Sequence, residues 1–132
     1  MADNRKQREV DAWIQKAEND MRGARIDMDA SPPLIEDALF HCQQAAEKAM
    51  KAFLTAHDIS FRKTHDLDEL AMACEDIDAS LKETLVPARN LSVFAWEFRY
   101  PGDSAMPSEK EAYDAITTSG KVVMVVRQRL AG

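Results

Sequence analysis

Apolar residues recur at steps of three and four along most of this chain, the period of one helix face. Val10, Trp13, Ala17, Met21, Ala24 and Met28, flanked by Ile14 and Arg25, mark a first helix, and residues 1–8 read as a frayed polar tail. Gly23 inside that helix either permits a close crossing or is tolerated. Ser31 suits an N-cap and Pro32 a first helical position. From there Ile35, Ala38, Cys42, Ala45, Ala49, Phe53 and Ala56 carry a second helix to His57-Asp58, widened by Leu39, Ala46, Met50 and Leu54. A stripe this broad and this rich in alanine belongs to a central helix approached closely on more than one side.

The stretch Ile59 to His65 has no helical period and reads as an ordered loop pinned by Ile59 and Phe61. Thr64 or Asp66 caps a third helix that buries Leu67, Leu70, Ala71, Cys74 and Ile77. Ser80 with Glu83 has the spacing of a capping box and opens a fourth helix running to Phe98, with a kink or restart at Pro87. A second box, Ser108 with Glu111, opens the last helix. Its valines at 122, 123, 125 and 126 favour a strand by propensity, but a lone strand has no partner, so packing holds them helical. The expected fold is all-α: an up-and-down antiparallel helical bundle of four long helices plus one shorter helix, one domain over residues 1–132.

Composition narrows the function. With 45% hydrophobic and 30% charged residues the chain is ordinarily globular, and its net charge of −6 argues against a general nucleic-acid-coating surface while leaving room for a small basic site. Cys42 and Cys74, both on apolar stripes, read as reduced core thiols, and no segment reads as a signal peptide or membrane span. The expected location is cytoplasmic. Glycine-rich phosphate loops, paired CxxC, zinc-binding His-Glu motifs and serine elbows are missing, so neither cofactor nor metal is expected.

Polar residues worth weighing fall in three groups. His41 lies beside the stripe of the second helix, with Asp37 one turn earlier; it reads as a hydrogen-bonded structural group or a ligand-facing one. Gln43, Gln44, Glu47, Lys48 and Lys51 form that helix's polar flank, with Glu47–Lys51 in the order of a surface i,i+4 pair, and Gln44 and Lys48 could line a groove or dimer seam. Arg62, Lys63 and His65 in the loop, and Arg99 and Tyr100 before a tight turn, suit phosphate contact and base stacking. His65 could equally brace the third helix.

Three blocks, Ala38-Leu39-Phe40-His41-Cys42-Gln43-Gln44-Ala45-Ala46-Glu47-Lys48-Ala49-Met50-Lys51-Ala52-Phe53-Leu54, Lys63-Thr64-His65-Asp66-Leu67 and Arg99-Tyr100-Pro101-Gly102, resemble in order and spacing the HEPN family, the nucleotide-binding domain of higher eukaryotes and prokaryotes. The resemblance implies a homodimeric bundle, often paired with a minimal nucleotidyltransferase in toxin–antitoxin-like modules. Several subfamilies are metal-independent ribonucleases using an arginine, a following polar residue and a histidine four to six residues past the arginine, with two copies meeting at the dimer interface. Here the last helix ends Val126-Arg127-Gln128-Arg129-Leu130-Ala131-Gly132 without histidine, and Arg62 and His65 are only three apart. The leading expectation is therefore a module that binds nucleotide or a nucleotidyltransferase-type partner. Arg62, Lys63, His65, Arg99 and Tyr100 would mark its phosphate end, with His41, Gln44 and Lys48 at a groove or interface. The alternatives are an endoribonuclease toxin using His65, Arg62 and Arg99, and a purely structural dimeric interaction protein.

Overall fold

The apolar stripes form the helices their period implies. The computed structural model describes residues 4–95 and 106–132, and these hold α1 (Arg5–Asp29), α2 (Ile35–Ala56), α3 (Leu67–Ile77), α4 (Lys82–Ala88) and α5 (Glu109–Ala131), with 3-10 turns at Ala79–Leu81 and Arg89–Ala95. The fold is all-α, and its largest helices make an up-and-down bundle. α2 is its axis, packed against α1 on one side, α5 on another and α3 on a third. Ala38, Ala45, Ala46, Ala49 and Ala52 are completely buried on α2, so neighbouring backbones approach it closely, while Leu39, Met50, Phe53 and Leu54 fill the layers between.

Several local expectations need correction. The tail does not extend to residue 8: Arg8 N–H already donates to the Asn4 carbonyl, and α1 is helical from Arg5. Ser31 is not the cap of α2, because Leu34 N–H bonds back to the Asp27 carbonyl and residues 31–34 become the connection, so the helix begins at Ile35 without a side-chain cap. Asp78, not Ser80, accepts the backbone N–H at the next start, and Ser80 turns its hydroxyl onto Asp78. α4 is seven residues long, includes Pro87, and gives way to a 3-10 turn at Arg89. Ile59 is exposed, so of the two apolar residues expected to pin the loop only Phe61 packs against the core.

Asp66 caps α3 through Asp68 N–H, and Ser108 caps α5 through Glu111 N–H. Ser108→Ala is expected to cost about 1 kcal/mol of unfolding free energy, read by urea denaturation, because the first turn of α5 loses its acceptor. Cys42 and Cys74 are buried, and burial pushes their thiols up to about 11 and about 12, so neither is a thiolate at neutral pH. Arg99 and Tyr100, with Trp96 and Phe98, lie outside the described residues.

Candidate functional site

Two polar rows run along α2. The first, Gln43, Glu47 and Lys51, repeats every four residues and is buried, although a surface pair was expected there. Residues 42, 45, 46, 49, 50 and 52 are apolar on both sides of that row, so the apolar arc wraps it and carries it inward.

Glu47 is the hub. One carboxylate oxygen accepts from Lys51 Nζ at 2.9 Å, and the other from Gln43 Nε2 at 3.1 Å and from His65 Nδ1 at 2.7 Å. Burial pushes its carboxyl up, but the hydrogen bonds from Lys51, His65 and Gln43 outweigh that and hold it below its ordinary value of 4.5. The Lys51 ammonium lies 5.5 Å from the Trp13 ring centre and 5.7 Å from that of Phe61, whose rings meet edge to face. Both rings lie within cation–π reach of the ammonium.

His65 is held from below and open above. Gln43 also donates to the His65 carbonyl, fixing the backbone as well as the ring. The side chain is 63% exposed, and Nε2 has no partner among the described residues. An acceptor-only carboxylate at Nδ1 requires the proton there, so in the neutral ring Nε2 presents a lone pair to solvent.

Arg62, in the same loop, donates from Nε to both carboxylate oxygens of Glu69 on α3, at 2.8 and 2.9 Å. The pair is largely exposed, of the kind worth at most about 1 kcal/mol, and its terminal nitrogens have no partner among the described residues. Lys63 beside it is exposed. Arg62, Lys63 and His65 thus share one loop with His65 committed to α2 and Arg62 to α3.

The second row faces α1 and also departs from expectation. His41 is not faced by Asp37: its Nδ1 lies 3.1 Å from Asp20 and its Nε2 3.7 Å from Asp27, both on α1. Lys48 reaches Asp20 at 2.6 Å, and Gln44 donates to Gln43. Gly23 explains the fit, since a Cβ there would stand 3.1 Å from the imidazole. Burial raises the Asp27 carboxyl above its ordinary 3.8, the His41 charge opposes this and Asp37 adds to it, and Asp27 Oδ2 is buried without a hydrogen bond. A carboxyl raised in the folded state binds its proton more tightly there, so stability falls as pH rises from 3.8 through the folded value. Asp27→Asn is expected to melt above the native protein at pH 7, with the gap closing toward pH 4, measured by thermal denaturation across that range.

Sequence reasoning singled out the histidines but missed their carboxylates. Among the described residues no three His, Cys, Asp or Glu side chains are grouped to hold a metal ion, and no helix is long and apolar enough to cross a membrane. The model of the HEPN domain family matches residues 10–129. No curated protein and no solved structure matches the chain.

Proposed function

We propose that this chain, which belongs to the HEPN domain family, cleaves single-stranded RNA without a metal, using His65 as its proton-transfer group. The observation that carries the reading is the hydrogen bond from His65 Nδ1 to buried Glu47, which fixes the ring and leaves Nε2 open. A carboxylate holding one imidazole nitrogen so that the other can take a proton is the working half of an acid–base site.

In the reaction His65 Nε2 takes the proton of a ribose 2′-hydroxyl. O2′ bonds to the adjacent phosphorus, and the P–O5′ bond breaks. The charge that develops on the non-bridging oxygens falls to Arg62, whose terminal nitrogens can grip phosphate while Nε stays with Glu69. A protonated His65 from a second copy, in the homodimer that the family resemblance implies, returns a proton to O5′. The products are a 2′,3′-cyclic phosphate and a 5′-hydroxyl. Arg99 and Tyr100 are the further candidates for holding phosphate and base.

The exposed cations Arg62 and Lys63 favour a second reading, in which the same loop binds a nucleotide phosphate, or a nucleotidyltransferase-type partner, without cleavage. End-group analysis of single-stranded RNA incubated with the protein in chelator separates the two. Cyclic phosphate and 5′-hydroxyl ends are expected. Intact RNA with saturable nucleotide binding would leave the binding reading in place.

A further inference from the structure

A cavity away from His65 lies in the seam between α1 and α5. Its volume is about 470 Å³, within the roughly 300–1,000 Å³ typical of small-molecule sites. Met21, Val123 and half-exposed Met124 supply its apolar lining, Glu18, Arg25, Arg127 and Gln128 supply its polar lining, and Gly120 leaves room between them. A Cβ at Gly120 would stand 3.6 Å from Met21 Cε and 3.9 Å from Arg25 Nη2, so the Arg25 guanidinium reaches from α1 to the glycine on α5.

The charges are unequal. At one end Arg127 is engaged by Glu18 at 3.1 Å, which leaves that pair neutral. Arg25 has no ion-pair or hydrogen-bond partner among the described residues. A chain of net charge −6 has carboxylates to spare, yet the exposed Arg25 guanidinium stands beside Met21 and Gly120 without a carboxylate partner among the described residues. One cation free of a carboxylate matches a single anionic charge better than a phosphate dianion, and the lining holds no aromatic ring on which a base could stack.

We propose that this groove binds a small amphiphilic monoanion, an apolar chain or ring ending in one carboxylate. The carboxylate meets Arg25, and the apolar body lies along Gly120 and Met124 between Met21 and Val123. The Glu18–Arg127 bridge closes the far end. This site is independent of the His65 chemistry.

The test is an NMR titration of the isotope-labelled full chain with decanoate below its micelle concentration, against decyltrimethylammonium, which has the same tail and the opposite charge. Decanoate is expected to shift the amides of Met21, Gly120 and Met124 saturably, and the cation is not. Arg25→Gln, at an exposed position that spares the fold, is expected to weaken decanoate at least tenfold. Gly120→Leu, which fills the floor, is expected to abolish the shifts while the melting temperature confirms folding. Scattered or non-saturating shifts, equal binding of the two amphiphiles, or unchanged affinity in Arg25→Gln would each overturn the proposal.

Discussion

Glu47→Ala is expected to destabilise the fold by roughly 3–5 kcal/mol, the cost of leaving one member of a buried ion pair alone. Lys51, only 8% exposed, would keep its charge between Trp13 and Phe61 with no anion to meet it. Gln43 would lose one acceptor, and His65 its only side-chain hydrogen-bond partner among the described residues. Against a total stability of about 5–15 kcal/mol this is a large share, visible as a drop of roughly 10–20 °C in Tm. Pairing the change with Lys51→Met removes both charges and leaves an apolar chain against the two rings. The double variant should recover much of the loss, because a buried pair contributes little net over well-packed apolar groups. If Glu47→Ala alone melts within about 2 °C of the native protein, the buried hub does not exist in solution. The pH dependence has a definite sign. Glu47 titrates lower folded than unfolded, so its contribution is complete above 4.5 and is lost as pH falls through the folded value. Glu47→Gln should flatten that part of the acid-unfolding curve.

The second large effect falls on chemistry rather than stability. His65→Gln is expected to lower RNA cleavage by about 10²–10⁴-fold, the usual contribution of a positioned acid or base. The glutamine can keep the contact to Glu47, and the native side chain is mostly exposed, so the fold should be spared. Affinity for an RNA carrying 2′-deoxyribose at the cleavage site should change little, since phosphate recognition rests on Arg62 and its neighbours. Arg62→Ala should do the reverse to binding, weakening the same RNA. Equal cleavage by native protein and His65→Gln would remove His65 from the reaction.

Helix positions were legible because the period of the stripes is a property of local sequence. The alanines of α2 announced a central helix, Pro87 the broken segment after α4, and Ser108 with Glu111 the start of α5. What misled was competition between partners in space. Leu34 N–H found the Asp27 carbonyl, so Ser31 lost its place at the helix start. Asp78 displaced Ser80 because an ionised side chain is the stronger acceptor. The candidate site followed the same rule. His41 and His65 stood out as residue types, but their partners lie 21 and 18 residues away, and i,i+4 reasoning reaches only within a helix. Glu47–Lys51 has the spacing of a surface pair, and only the apolar residues on both sides of its row tell that it is buried.

The measurement that tests the central claim most directly is kcat for single-stranded RNA in chelator, native protein against Glu47→Gln, both held below their melting temperatures. The substitution keeps the size of the side chain and leaves His65 in place, but exchanges a fixed carboxylate for an amide that can hold the ring in the wrong tautomer. If buried Glu47 makes His65 a proton-transfer group, kcat falls by roughly 10²-fold or more while Glu47→Gln stays folded. A native protein that leaves RNA intact, or a Glu47→Gln variant that cleaves at the native rate, contradicts the account.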